Sequence, residues 1–399
     1  MEPNQWLTRE RIIGRLEFQE YRRYLSLLVC AFIILTQLPT VSAHGGTATS
    51  GLSQWHGAVI ILSGMAVLGG TLLLKRTNYI SPTVAIYTVF FGIVVTAVGA
   101  VLFEGLAPEP TYTASSIPFP RSWYQPLSLS VGMLIILSSF IIGWLRWPTR
   151  PRYMSLGMLM GLWIMYPNLL PGYNSDSHPL GYAIVLSTPL FVGYILWKDA
   201  RPVFKAVLQD QVARRFGIGV GFIMALFFMS TTGYISFILE DGGPGEVTIA
   251  VMSVRYQLVM WPTLEVLLPE VPLFFAISIG VITVVGLLSV LVGLNAALIA
   301  RYWRAEEQAG IAENTTKSAA ILGTCTCGCC GPLVSQIVLL AAGPTVAAPV
   351  YWVFVDAASP FTSIFVISSI LLFTGTLVYS VESARLPTHT VPNSSVSTD

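Results

Sequence analysis

An all-α, polytopic integral membrane bundle of about ten transmembrane helices is the fold class this sequence predicts. Three observations predict it. The 399-residue chain is 54% hydrophobic and 10% charged, with a mean hydropathy of +0.70, whereas soluble domains carry about 25% charged residues. Apolar runs of roughly 20 residues, the length that crosses a bilayer core, recur along it. Lysines and arginines gather in alternate connections between those runs, the mark of cytoplasmic connections. A chain this apolar needs lipid as its solvent, and inside lipid the backbone can satisfy itself only as helix.

The first run, at about 24–43, follows a leader holding Arg9, Arg11, Arg15, Arg22 and Arg23. Its basic flank and Val-Ser-Ala ending read equally as a signal-anchor or as a secretory signal cut after Ala43, which leaves nine spans. Cys30 inside it is an apolar filler. Further spans are expected at about 57–74, 81–103, 125–145, 153–170, 181–197, 217–239, 271–300, 318–342 and 359–381. The chain therefore divides into a leader and first segment (1–43), a bundle of about seven helices (44–310), a cysteine-bearing hairpin (311–385) and a polar tail (386–399).

Orientation follows the cations. Lys75 and Arg76, then Arg146, Arg150 and Arg152, then Lys198 through Arg215, then Arg301 and Arg304, and finally Arg385 mark one side. The opposite connections are poor in them: "PGYNSDSHPL" has none and "EDGGPGEV" is acidic. This places the protein in the cell membrane with its C-terminus in the cytoplasm. Two stretches do not span. Residues 198–216 read as a basic amphipathic helix on the cytoplasmic surface. Residues 251–270, with Arg255, Glu265 and Glu270, read as an outer lid or a re-entrant piece; an interfacial connector is the plainer reading of both.

Whole classes of function drop out. Net charge is +1, and no basic patch with interleaved aromatics points to nucleic acid. The chain shows no Gly-rich phosphate loop and no serine, histidine and carboxylate set. Active pumping would need an energy-coupling or metal-carrier partner protein.

What remains is "ILGTCTCGCCGPLVSQIVLL", residues 321–340, where Cys325, Cys327, Cys329 and Cys330 fall in six positions of an apolar run. On a regular helix Cys325 and Cys329 share one face, about 40° apart, and Cys327 and Cys330 share the next, about 60° apart. Convergence of all four on one ion needs a broken helix or a second protomer. Gly328, Gly331 and Pro332 supply a break, since Pro332 leaves the Gly328 carbonyl without its helical donor. Counting from Lys317, the thiols lie roughly 12–20 Å into the membrane. Thiolates are costly there unless a soft cation such as Cu⁺ or Hg²⁺ neutralises them. Close helix packing by small side chains is the bland alternative. A C-x-x-C redox pair, Cys327 and Cys330, is the other.

"LGTCTCGCCGPLVSQIVLLAAG" followed by "DAASPFTSIFVISSILLFTGTLVYSVES" resembles the helical hairpin of the mercuric-ion transport proteins of bacterial mercury-resistance systems. In that family a vicinal cysteine pair, a short residue, Pro and Leu open the first helix, and the second begins near a proline. The matching positions here are Cys329, Cys330, Gly331, Pro332 and Leu333, with Pro360 at the second helix. The resemblance covers about residues 318–382, a fifth of the chain, and implies metal-ion transport by this hairpin. Cys325 and Cys327 are additions to the pattern. The family's second, cytoplasmic cysteine pair has no counterpart.

His44, His56 and His178 fall on the outer side and are further metal candidates, His44 especially if cleavage makes it the amino terminus. Met154, Met158 and Met165 align on one face of the fifth span and suit Cu⁺, although methionine is commonly core filler. Asp356 is a candidate relay group near the outer end of the hairpin. The expectation is a membrane protein that handles a soft metal ion as transporter or sensor. A membrane thiol–disulfide oxidoreductase and a structural subunit of a membrane complex are the alternatives.

Overall fold

Three antiparallel helix pairs closed by glycine seams make up about half of the described residues. The computed structural model describes residues 54–106, 120–169, 177–236, 246–268, 273–309, 334, 337–339, 342, 344–355 and 359–385. Its helices are α1 (Gln54–Arg76), α2 (Pro82–Gly105), α3 (Tyr124–Arg146), α4 (Pro151–Leu169), α5 (Pro179–Asp199), α6 (Arg201–Gln209), α7 (Gln211–Thr231), α8 (Ile279–Ala309), α9 (Pro344–Val355) and α10 (Pro360–Arg385). Seven of them, α1, α2, α3, α5, α7, α8 and α10, are long and apolar enough to cross a membrane.

Local sequence explains the helix ends. Ser81 caps α2, accepting from the Val84 N–H, with Pro82 at the first helical position. Asp210 separates α6 from α7, its Oδ1 accepting from the N–H groups of Val212 and Ala213 at 3.0 and 3.2 Å. Asn78, at φ 56, closes α1 in the left-handed conformation that asparagine tolerates.

The glycines set the packing. A Cβ on Gly132 of α3 would lie 2.7 Å from the Gly161 carbonyl oxygen of α4, and one on Gly161 2.6 Å from that of Gly132. Gly217 of α7 and Gly293 of α8 face each other in the same way, and Gly64 of α1 lies against Gly92 and Thr96 of α2. Backbones in a bilayer approach this closely only where side chains are small. Away from the seams, Leu134, Leu145, Leu190, Ile218 and Phe222 point outward and exposed, as lipid-facing residues do. The core is held by Trp163, Tyr166, Phe228 and Leu288, all fully buried.

Several expectations are corrected. The chain is mostly helical but not all-α: β1 (Ile235–Ser236), β2 (Thr248–Tyr256), β3 (Val259–Leu268) and β4 (Leu273–Ser278) form an antiparallel sheet in the order β1-β4-β3-β2. Residues 251–270, expected as a lid or re-entrant piece, lie largely in its β2–β3 hairpin, with β2 at the sheet edge. The span expected at 271–300 starts as strand β4 and becomes helix only at Ile279. Val, Ile, Phe and Leu fill a buried strand and a membrane helix alike, so hydropathy alone could not separate them. The span expected at 217–239 is displaced, running from Gln211 to Thr231, because the Asp210 cap starts it early. The surface helix expected at 198–216 shrinks to Arg201–Gln209. The span expected at 153–170 is the helix α4, with Ile164 and Tyr166 fully buried and Pro167 inside it; it pairs with α3 but is not one of the seven. The segment 24–43 and most of 318–342 lie outside the described residues.

Candidate functional site

The four thiols, Cys325, Cys327, Cys329 and Cys330, lie outside the described residues, as do Cys30, His44 and Asp356. The described helices on either side define what that segment connects. Asn295, in the middle of α8 and buried, donates from Nδ2 to the Leu291 carbonyl at 2.8 Å and to the Phe373 carbonyl of α10 at 3.3 Å. Thr376 Oγ1 donates to Asn295 Oδ1 at 2.9 Å, and the Tyr302 hydroxyl to the Ser380 carbonyl at 3.2 Å. Moving along α8 from Asn295 to Tyr302 moves along α10 from Thr376 to Ser380, so the two helices run parallel. At 1.5 Å per residue, Ala309 and Pro360 are then roughly 40 Å apart along the axis. Ala309 and Pro360 therefore lie toward opposite ends of the pair.

Two of the candidate histidines, His56 and His178, are among the described residues. His178 caps α5: its Nδ1 accepts from the Leu180 N–H at 3.1 Å, so that lone pair is already engaged. His56 is exposed in the first turn of α1, beside Gly57, which abuts Phe103 of α2. Among the described residues no group of three or more His, Cys, Asp or Glu side chains is placed to hold a metal ion. The methionine stripe is divided as well. Met154 fills the notch at Gly143, Met165 fills the notch at Gly132, and Met158 faces outward. Two of the three are thus accounted for by packing.

The structure brings together something the sequence did not signal. The tip of the β2–β3 hairpin, Tyr256 to Val259, is buried among α4 and α5. Gln257 and Leu258 sit at φ 52 and 66, the positive-φ pair of a two-residue hairpin turn that usually calls for Asn-Gly. Aromatic donors hold it: Trp163 Nε1 to the Gln257 carbonyl at 3.1 Å, Tyr166 to the Leu258 carbonyl and Tyr182 to the Met260 carbonyl. Tyr182 meets Trp261 edge-on at 4.9 Å, and Trp261 donates back to the Tyr256 carbonyl. Just outside the helices, burial and the nearby Glu265 carboxylate raise the pKa of the Tyr234 phenol.

At the basic end, Arg152 forms a two-pronged ion pair with Asp199, its Nε donating at 2.7 Å, and the Tyr153 hydroxyl donates to the same carboxylate at 2.7 Å. Arg304 pairs with Asp210. These contacts lock α4 to α5 and the α6–α7 junction to α8.

Comparison of the chain with protein-family models, with curated proteins and with solved structures finds no match.

Proposed function

We propose that this chain is a multi-pass protein of the cell membrane that handles a soft metal ion, Cu⁺ or Hg²⁺, through Cys325, Cys327, Cys329 and Cys330, as a transporter or a sensor. The observation that carries the reading is the gathering of four thiols in six positions of an apolar segment, beside Gly331 and Pro332. The resemblance of 318–382 to the mercuric-ion transport hairpin points the same way. The ion is the cargo, and two thiolates suffice to hold it linearly. His44, His56 and His178 belong to this reading only as outer-side contacts. A second protomer, an energy-coupling subunit or a carrier protein would supply what the chain's own residues do not.

The test is a Cu⁺ titration of purified protein against a colorimetric chelator. The wild type competes stoichiometrically; the variant with Cys325, Cys327, Cys329 and Cys330 all replaced by serine does not. Unchanged competition by that fourfold variant overturns the reading. The spacing Cys327-Gly328-Cys329-Cys330 favours thiol–disulfide exchange as the second reading. It requires a Cys327–Cys330 bond that changes with membrane redox state under thiol trapping.

A further inference from the structure

We propose that the elbow joining α5, α6 and α7 is a binding surface for anionic phospholipid headgroups in the cytoplasmic leaflet. Leu186, Leu190, Tyr194 and Trp197 are all exposed and recur at i, i+4, i+8 and i+11, a single stripe on one helix face. The stripe passes from aliphatic to aromatic as it nears the basic end of the bundle, the order in which a side-chain row leaves hydrocarbon for the headgroup layer. Trp197, 61% exposed, carries the Arg201 guanidinium over its ring at 4.6 Å. The lipid-facing row therefore ends in a cation.

The short helix α6 extends that cation into a patch. Arg201, Lys205 and Leu208 lie on one exposed face, with Val207 buried on the other. Arg214, at the start of α7, reaches back to donate to the Leu208 carbonyl at 3.3 Å, which sets its guanidinium at the end of the same helix. Lys198 and Arg215 are exposed nearby. The two carboxylates of the elbow do not offset this charge, since Asp199 is engaged by Arg152 and Asp210 by Arg304. An exposed leucine and an exposed tryptophan among cations that no described carboxylate pairs with, at the end of a lipid-facing row, fit a phosphate-bearing lipid surface. An acidic protein partner would match the charge but not the aliphatic row leading into it.

The experiment places the full chain in bilayer discs of phosphatidylcholine and phosphatidylglycerol and counts retained phosphatidylglycerol by native mass spectrometry. At roughly fivefold per basic side chain near a surface, Arg201→Gln with Lys205→Gln lowers the preference for phosphatidylglycerol by about 25-fold. Arg76→Gln with Arg146→Gln removes equal charge from the same membrane side and leaves the preference within about twofold of wild type, the elbow being untouched. The charge-keeping pair Arg201→Lys, Lys205→Arg retains the lipid, which guards against a folding artefact in the first variant. Equal losses in the two neutralising variants, no wild-type preference over phosphatidylcholine, or loss in the charge-keeping pair overturns the proposal.

Discussion

The indole N–H of Trp163 donates to the backbone carbonyl of Gln257 across 3.1 Å, tying a fully buried helix residue to the tip of a hairpin 94 residues further along the chain. That tip holds Gln257 and Leu258 at positive φ, a conformation costing about 1–2 kcal/mol for a residue with a Cβ. The donors from Trp163, Tyr166 and Tyr182 satisfy the carbonyls that the turn buries.

Removing one donor leaves a buried carbonyl without its partner, at a cost of about 1–3 kcal/mol. Trp163→Phe and Tyr166→Phe should each lower the melting temperature in detergent, and protease should cut the 246–268 region faster in both. Unchanged melting and cleavage would remove the hairpin seat as a stabilising feature.

The glycine seams make a sharper contrast. Gly132→Ala and Gly293→Ala drive a methyl into a facing carbonyl and should destabilise by about 1–3 kcal/mol. Gly70→Ala meets open space on α1 and should stabilise by about 1 kcal/mol through helix propensity. Melting of the three variants side by side reads both signs.

Arg152 and Asp199 act as a unit. Arg152→Met leaves a largely buried carboxylate with the Tyr153 hydroxyl but no cation and should cost about 3 kcal/mol. Adding Asp199→Leu should recover most of the loss. A double variant as unstable as the two single losses added together would show that the ion pair is not the cause.

How much of this was legible follows from what each signal measures. Hydropathy and cation placement mark membrane helices through bulk solvation, so α1, α2, α3 and α5 fall within a few residues of the expected spans. The β-sheet was hidden because "PLFFAIS" is as apolar as a helix, and the turn at Gln257-Leu258 lacks the Asn-Gly that announces such a reversal. Its stability comes from Trp163, Tyr166 and Tyr182, all far away in sequence. Asn295 could have been noticed as a lone amide in an apolar span, but its partner, Thr376, could not. The methionine stripe was correctly spaced, yet spacing does not reveal that Gly132 and Gly143 offer notches for two of its members. Of the expected metal candidates, His178 caps a helix through Nδ1, a role that spacing in the sequence does not announce. The cysteine cluster stays what the sequence made it, a concentration of sulfur in an apolar segment.

The X-ray absorption spectrum of the purified, Cu⁺-loaded protein tests the central claim most directly. The expected first coordination shell is sulfur alone, lost when Cys325, Cys327, Cys329 and Cys330 are all replaced by serine. A shell of nitrogen or oxygen, or a sulfur shell that survives that fourfold substitution, would contradict it.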